Sequence, residues 1–260
     1  MADCSISPTP ASTGIQLNKI VSSAFKNVFM YRSTIGALQY LTITRPELTF
    51  IVNKLSQFMH KPTDMHWSSC KWVFRYLQGT KTFGLQIRPS SDITISGYID
   101  MDWASNADDR RSTGSYCIFL GQNLVSWSSK KQHVVACSST ESEYRSLANG
   151  AAEVLWLQSL LNELQVELNR VPVIWYDNVE VGYLAENTVH HQRMKHIEID
   201  AHFVRDRVIQ KKLEFRYVPS FEQIADVLTK VLPSSQFLVL WCKLNLKASL
   251  FRLRRNDKIS

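Results

Sequence analysis

The sequence lacks the features that would place it in a membrane or a secreted class. None of its apolar runs approaches the ~18–20 residues that a membrane-spanning helix needs, so no membrane partner is expected. The N-terminus carries an early acidic residue, Asp3, and no apolar core, so it does not have the pattern of a secretory signal. Five cysteines are an odd number, widely spaced and without a Cys-x-x-Cys pair. They indicate free thiols in a reducing, intracellular compartment.

The sequence also lacks the motifs that are typical of two classes of enzyme. The chain has only 9 glycines and no glycine-rich phosphate loop, which argues against nucleoside triphosphate chemistry. It also has no Gly-x-Ser-x-Gly sequence, the turn that presents the nucleophile in many serine hydrolases. The composition is otherwise that of an ordinary globular protein, with 45% hydrophobic and 20% charged residues, which excludes a largely disordered or fibrous chain.

Positive charge is concentrated near the C-terminus. The chain has a net charge of +7, and the segment 243–260 contains six basic side chains against the single acidic Asp257. A basic segment on a nearly neutral body favours a polyanionic partner, because neutralising phosphates drives non-specific binding of nucleic acids. A solvated, frayed terminus is the alternative interpretation of the same charges.

Changes in periodicity divide the chain into four predicted segments. Residues 1–27, rich in Ser, Thr and Pro, predict an extended lead-in that does not pack as an element. Residues 28–90 have helical spacing of apolar residues and predict a small, mostly α-helical segment. Residues 91–235 predict an α/β domain built on one mixed sheet flanked by helices. Residues 236–260 are expected to form a basic tail.

The order of elements in the α/β domain is predicted as β-β-β-α-β-α-α-β-α. Short runs rich in β-branched and aromatic residues mark its strands, and Gly121-Gln122-Asn123 predicts a hairpin turn. Ser138-Ser139-Thr140 provides N-cap chemistry for a long amphipathic helix. The predicted strands are Ile93–Ile99, Tyr116–Leu120, Leu124–Trp127, Val173–Tyr176 and Leu213–Val218, and the later helices are 178–186, 196–211 and Phe221–Val231.

Four acidic residues lie where such a sheet gathers side chains from distant parts of the chain. Asp100 and Asp177 each follow a predicted strand, Glu143 lies near the start of the long helix, and Asp226 lies in the last helix. Carboxylates suit Mg²⁺, a hard cation that prefers oxygen ligands, and two such ions support phosphodiester hydrolysis. Asp is also common at turns and helix starts, so chance placement is the alternative. Asp102 and Glu141 are neighbours that can substitute for Asp100 and Glu143.

Several motifs in a fixed order resemble the ribonuclease H domain of copia-type LTR-retrotransposon Pol polyproteins. They are GYIDMDWASNADDRRSTGSYCIFLG, VSWSSKKQHVVACSSTESEYRSLA, WYDN, KHIEIDAHFVRD and RYVPSFEQIADVLTK. The upstream stretch that begins YRSTIGALQYLTITRPELTF is similar to the segment that follows the reverse-transcriptase palm in those polyproteins. The resemblance covers about residues 28–232, and it makes 28–90 a thumb- or connection-like segment of a reverse transcriptase.

This resemblance implies a ribonuclease H-like fold and cleavage of the RNA strand of RNA–DNA hybrids with two Mg²⁺ ions. It places the catalytic, metal-binding acids of the family on Asp100, Glu143, Asp177 and Asp226. Asp100 and Asp177 are expected to contact both ions, Glu143 the ion near the leaving group, and Asp226 the ion near the attacking water. The RNA–DNA hybrid and a reverse-transcriptase polymerase domain are the expected partners. The palm with its paired aspartates lies outside this sequence, so no polymerase activity is expected.

Basic side chains near these motifs are candidates for contacts with the phosphates of the hybrid. They are Arg110, Arg111, Lys130, Lys131 and His196, for each of which a solvated loop position is the alternative. Trp103 is a further aromatic residue expected close to Asp100. A zinc site built from the histidines between residues 190 and 202 is disfavoured, because no cysteine lies nearby and their spacing fits no structural zinc pattern.

Two rival functions remain open from the sequence. The chain can be a catalytically inactive retroelement remnant that keeps the fold and binds nucleic acid. This alternative is favoured by Ile99 and Met101, which flank Asp100 where the family usually has small residues, and by the missing palm. A transposase or integrase with the same general fold is disfavoured, since its acids would be spaced differently and no zinc-binding module precedes them.

Overall fold

A computed structural model describes residues 5–19, 22–178 and 198–248, and these residues form a mixed sheet between two layers of helices. Three short 3₁₀ turns in these ranges span Pro46–Leu48, Ser220–Glu222 and Ile224–Leu228. The helices are α1 (Val28–Leu41), α2 (Thr49–Ser56), α3 (Asp64–Gly79), α4 (Ser139–Glu163), α5 (Glu198–Ile209) and α6 (Ser234–Lys243). The strands are β1 (Phe83–Leu85), β2 (Ile95–Asp102), β3 (Thr113–Leu120), β4 (Asn123–Lys131), β5 (Val173–Tyr176), β6 (Glu214–Tyr217) and β7 (Leu246–Ala248).

Within the described residues, five strands form the main sheet in the order β4-β3-β2-β5-β6. Strands β2, β3 and β4 are antiparallel, whereas β5 and β6 run parallel to β2. The turn between β3 and β4 contains Gly121 at φ +57°, a left-handed conformation that glycine adopts without strain. The mixed sheet with flanking helices and the hairpin between β3 and β4 are therefore confirmed.

Helix α4 covers one face of the sheet. It begins after Ser138, whose hydroxyl accepts a hydrogen bond from the backbone N–H of Glu141, as the N-cap prediction requires. Its apolar stripe packs on inward-facing residues of the central strands and forms one buried cluster. The members of this cluster include Ile95, Ile99, Ile118, Ile174, Tyr144, Leu147, Ala151, Val154, Leu157 and Leu161.

The helical segment covers the opposite face. Helices α1–α3 pack on outward-facing residues of β3 and β4, and the turn Ile224–Leu228 and helix α6 complete the same cluster. This second core contains residues from both sides of the predicted boundary at residue 90. The helical segment and the sheet therefore share buried surface. Its members include Tyr31, Ile35, Leu55, Val73, Cys117, Phe119, Leu124, Leu228, Phe237 and Leu240.

Both ends of the described chain are more ordered than the sequence suggests. The lead-in contains no helix or strand within 5–19, but it packs on α3: Leu17 is buried, and the Trp72 indole N–H donates to the carbonyl of Thr9 at 2.9 Å. At the other end, β7 pairs with β1, so part of the segment predicted as a basic tail is folded as far as residue 248. Residues 249–260 lie outside the described residues.

Two predicted elements need correction, and a third cannot be compared. Strand β2 continues to Asp102, so Asp100 lies inside the strand and does not end it. The helix predicted over Phe221–Val231 is replaced by two 3₁₀ turns, because the Gln223 side chain accepts a hydrogen bond from Ala225 N–H and interrupts the backbone there. The helix predicted over 178–186 falls almost entirely outside the described residues.

None of the helices in the described ranges combines the length and the apolarity that crossing a membrane requires.

The close approach of α4 to β2 predicts opposite effects for two glycine-to-alanine substitutions. A Cβ at Gly150 would lie 2.2 Å from Ile99 Cδ1 and 2.8 Å from Ile99 Cγ1, whereas a Cβ at Gly36 in α1 meets nothing within 4 Å. Gly150→Ala is expected to lower the free energy of unfolding by about 1–3 kcal/mol through overpacking. Gly36→Ala is expected to raise it by about 0.5–1 kcal/mol through helix propensity.

Chemical denaturation followed by circular dichroism measures both effects on the same scale. A Gly150→Ala variant that is stabilised as much as Gly36→Ala would show that α4 has room to move away from β2.

Candidate metal centre

Three carboxylates that are far apart in the sequence meet at one end of the sheet. Asp100 lies in β2, Asp177 directly follows β5, and Asp226 lies in the 3₁₀ turn Ile224–Leu228. Each offers an oxygen within 4.8 Å of the oxygens offered by the other two. Asp100 and Asp226 are buried, at 5% and 3% exposure, and Asp177 is half-buried.

The parallel pairing of β2 and β5 brings the first two carboxylates together. The last matched pair in this ladder is Tyr98 with Trp175. Asp100 and Asp177 each lie two residues beyond it, at the carboxyl end of the pairing. In open α/β sheets the crevice beyond the carboxyl ends of adjacent strands is where ligands bind.

Side-chain hydrogen bonds fix the third carboxylate relative to the first. Gln223 Nε2 donates to the carbonyl of Ile99 at 2.9 Å, and Ser115 Oγ donates to the carbonyl of Ala225 at 3.0 Å. From α4, Ser146 Oγ donates to the carbonyl of Asp100 at 3.1 Å. The turn that carries Asp226 is thus tied to β2 and β3, and β2 is tied to α4.

Two further side chains bind the carboxylates directly. Lys230 Nζ lies 2.9 Å from Asp226 Oδ1 and 3.3 Å from Asp100 Oδ1, and its side chain is 35% exposed. The buried Thr229 hydroxyl donates to Asp100 Oδ2. Neither residue was predicted from the sequence, although Lys230 stands four positions after Asp226, a spacing that places two side chains on the same side of a helical turn.

The crowding of charge changes how these groups titrate. Burial, and then the negative charge of Asp100, raise the pKa of Asp177 above its usual range. The same two causes raise the pKa of Asp226 to about 7. Burial alone would lower the pKa of Lys230, but the carboxylates of Asp100 and Asp226 outweigh it, and the net shift is upward.

A cavity of about 420 Å³ opens onto two of the three carboxylates, Asp100 and Asp177, and Lys230 also lines it. Glu143, from the first turns of α4, lines it with Asp100 and Asp177 but does not belong to the cluster of oxygens within 4.8 Å. A set of carboxylate oxygens without imidazole or thiolate ligands fits a hard divalent cation. The three aspartates can therefore hold a divalent metal ion, and Glu143 lies in the wall of the same cavity.

The two neighbouring acids that the sequence left as alternatives lie outside this cluster. Asp102 is half-buried, and burial is the main cause that raises its pKa. The carboxylate of Glu141 forms an ion pair with Arg145 at 2.6 Å and accepts a hydrogen bond from the backbone N–H of Cys137 at 2.8 Å. Glu141 therefore has a structural role at the start of α4.

Two of the predicted basic contacts, Lys130 and Lys131, lie at the same end of the sheet as the carboxylates. The register places Lys130 opposite Gly114, which in turn faces Met101. Lys130 is thus two strand spacings from β2, ~10 Å away. Lys131 forms an ion pair with Asp109 at 2.6 Å, and Lys130 has no ion pair among the described residues.

The loop between β2 and β3 carries the two predicted arginines. Asp109 Oδ2 lies 3.7 Å from Arg111 Nε. Asn106 Oδ1 accepts hydrogen bonds from the backbone N–H groups of Asp108 and Asp109. Arg110, at φ 56°, is exposed on this loop. Trp103, next to the carboxylates in sequence, is 49% exposed. His196 lies outside the described residues, as do most of the histidines considered for zinc.

The chain is similar to parts of much longer transposon proteins. It is 45% identical over 229 residues to the retrovirus-related Pol polyprotein from transposon RE2 of Arabidopsis thaliana, a match that covers 88% of this chain and 16% of the relative. The corresponding protein from transposon RE1 of the same plant is 44% identical with the same coverage. The chain thus spans less than a fifth of the length of these relatives.

The chain was also compared with solved structures and with protein-family models. The LC11 ribonuclease H1 isolated from compost matches 53% of this chain and 93% of its own, at 16% identity and a TM-score of 0.40. No protein-family model matches the chain. The strand order, the strand directions and the helices on both faces give the mixed α/β arrangement of the ribonuclease H-like class, and the predicted fold class is confirmed.

The crowded carboxylates predict that Asp226→Asn stabilises the metal-free protein above neutral pH. A folded-state pKa of about 7 means that Asp226 binds a proton more tightly in the folded protein than in the unfolded chain, so its contribution to stability is present at low pH. That contribution is lost as the pH rises from about 4, the unfolded value, through about 7. The asparagine variant has no such loss and keeps an oxygen for Lys230.

Urea denaturation in EDTA at about pH 5 and about pH 8 tests this, since the two pH values bracket the folded pKa. The advantage of Asp226→Asn over the unsubstituted protein is expected to grow with pH. An advantage that is equal at both pH values would mean that Asp226 titrates normally.

Proposed function

Since this chain belongs to the family of retrovirus-related Pol polyproteins from transposons, we propose that it is the nuclease part of such a polyprotein. Its proposed activity is Mg²⁺-dependent endonucleolytic cleavage of the RNA strand of RNA–DNA hybrids. The observation that carries this proposal is the meeting of Asp100, Asp177 and Asp226 within 4.8 Å on a ribonuclease H-like sheet. The neighbouring cavity, with Glu143 in its wall, supports it further.

The four acidic residues would hold two Mg²⁺ ions through carboxylate oxygens. Bound divalent ions activate a water molecule and neutralise the charge that develops on the scissile phosphate. The chain's own part is to keep the carboxylates at fixed separations, which the hydrogen bonds from Gln223, Ser115 and Ser146 favour. Leu147 and Tyr176 in the cavity wall would limit access of bulk water to the phosphate.

The hybrid would run across the end of the sheet that carries the carboxylates. Lys130 and the exposed Arg110 have side chains available to contact its phosphates on one side of the site. Lys131 and Arg111, both close to Asp109, would contribute less unless that carboxylate is displaced. Such contacts would recognise the shape of the hybrid and not its sequence.

The helical segment points to a second partner. Residues 28–90 share a core with the sheet and resemble the end of a reverse transcriptase in sequence. A polymerase domain joined to this segment would deliver the hybrid to the carboxylates, which is our proposal for how the nuclease acts within a longer polyprotein.

The proposal predicts Mg²⁺-dependent cleavage of a labelled RNA–DNA hybrid that Asp177→Asn abolishes. The loss is expected to be about a hundredfold or more, because asparagine removes an anionic oxygen ligand, and a ~1 Å displacement of the reacting groups by itself costs about that factor. Asn is close in shape to Asp, so the fold should persist. Gel analysis of the end-labelled RNA strand measures the rate, with EDTA and double-stranded DNA as negative controls.

Asp92→Asn is the matched control, because Asp92 is exposed in the loop before β2 and its carboxylate lies outside the cavity. It should cleave as the unsubstituted protein does. A folded, unsubstituted chain that binds the hybrid without cleaving it would overturn the nuclease proposal, and an inactive, nucleic-acid-binding remnant would then be the better account.

The two adjacent lysines of β4 predict unequal contributions to binding. Lys130→Gln is expected to weaken hybrid binding and to lower the slope of log affinity against log salt by about 0.7–0.9, the loss of one phosphate contact. Lys131→Gln should have a smaller effect, because its ammonium group is already paired with Asp109. Fluorescence anisotropy over a range of salt concentrations, in Ca²⁺ to prevent cleavage, measures both slopes. Equal slopes for both variants would contradict this.

A further inference from the structure

The ammonium group of Lys230 lies between two carboxylates that would bind a divalent metal ion. Its ammonium group bridges one oxygen of Asp100 and one oxygen of Asp226, the two most buried members of the carboxylate cluster. Asp100 lines the same cavity as Lys230, and Asp226 offers an oxygen within 4.8 Å of the oxygen offered by Asp100. A divalent ion bound between the same carboxylates would compete with the ammonium group for these oxygens and would repel it.

The charges around the cluster make a single lysine a partial substitute for a metal. Three carboxylates share one ammonium group, so ionised Asp100, Asp177 and Asp226 with Lys230 leave two negative charges. Glu143 adds another acidic side chain to the cavity wall. Lys54 of α2 interacts with the charge of Asp102, and Lys230 is the cation that forms ion pairs with the triad among the described residues. Lys230 therefore reduces the repulsion among the carboxylates without removing it. An additional cation at this site would stabilise the cluster further.

The lysine is also free to leave. Its side chain is 35% exposed, whereas those of Asp100 and Asp226 are each 4% exposed. A lysine has four rotatable carbons and no fixed geometry for its donors, so it can swing into the cavity while the anchored carboxylates stay in place. Thr229, by contrast, is fully buried and holds Asp100 through the other carboxylate oxygen, Oδ2.

We propose that Lys230 is a positioning residue that holds the metal-free carboxylate cluster together and is displaced when a divalent cation binds. This inference rests on the metal site of the proposed function. It adds that the ammonium group of Lys230 and the divalent ion compete for the same carboxylate oxygens. Before the ion binds, Lys230 keeps Asp100 and Asp226 in place, and this competition weakens the binding of the ion. Once displaced, its ammonium group remains in the cavity, where it can meet a phosphate.

The test is a direct measurement of Mg²⁺ binding by isothermal titration calorimetry, without substrate. Lys230→Met removes the charge but keeps an unbranched side chain, and it is expected to bind Mg²⁺ at least about tenfold more tightly than the unsubstituted protein. Lys230→Arg keeps the charge and should bind with nearly unchanged affinity. Lys212→Met is the matched control, because Lys212 is exposed before β6, at the opposite end of the sheet.

Thermal unfolding gives a second readout. In EDTA, Lys230→Met should melt at a lower temperature than the unsubstituted protein, because the carboxylates lose their only bonded cation among the described residues. Saturating Mg²⁺ should then raise its melting temperature by more, as tighter binding to the folded state requires.

The outcomes separate the two proposals. Unchanged or weaker Mg²⁺ binding by Lys230→Met, with the unsubstituted protein binding normally, overturns the role of Lys230 and leaves the metal site intact. No Mg²⁺ binding by the unsubstituted protein overturns the metal site and the role of Lys230 together. Tighter binding by Lys212→Met of the same size would assign the effect to net charge and not to the position of Lys230.

Discussion

The rest of this structure depends on one constraint, the mutual repulsion among three carboxylates of which two are buried and one is half-buried. Oxygens within 4.8 Å of one another repel by about 3 kcal/mol per pair at an effective dielectric constant of 20, before the structure relaxes. Burial adds a further cost for each charge. A chain that places Asp100, Asp177 and Asp226 together must hold each of them from several directions, and the neighbouring elements are arranged to do so.

The central position of β2 in the sheet holds Asp100 in place against this repulsion. The strand has β3 on one side and β5 on the other, and α4 covers one of its faces. Gly150 permits a contact between α4 and Ile99 that a larger residue would prevent, and Ser146, one turn earlier on α4, then reaches the carbonyl of Asp100. The same close packing that stabilises the core thus fixes the backbone next to the first carboxylate.

Residue pattern alone was sufficient to predict the strands of the main sheet and the long helix, because strand ends and helix starts carry local signals. It named four acidic candidates but left Asp102 and Glu141 open, and the family resemblance selected among them. Asp100, Asp177 and Asp226 stood out by their places in that order, although β2 extends past Asp100. Lys230 was not predicted, because its spacing of four from Asp226 indicates only that pair, and its contact with Asp100 exists only in the folded sheet. The Gln223 turn was missed for a related reason: its apolar neighbours have helical spacing, but its side chain bonds to Ile99 in β2 and interrupts the helix.

The helical segment belongs to the same folding unit as the sheet that carries the carboxylates. Cys117, Phe119 and Leu124 of β3 and β4 face α1–α3 and not solvent. Polar contacts follow the same surface: Trp127 Nε1 donates to the carbonyl of Thr42 at 3.2 Å, and Asn53 Nδ2 donates to the carbonyl of Ser129 at 2.5 Å. A chain beginning at residue 91 would lack α1–α3 and would expose the part of this face of the sheet that they cover. Helix α6 and the turn of Asp226 pack into the same core, so loss of the helical segment would also loosen the third carboxylate.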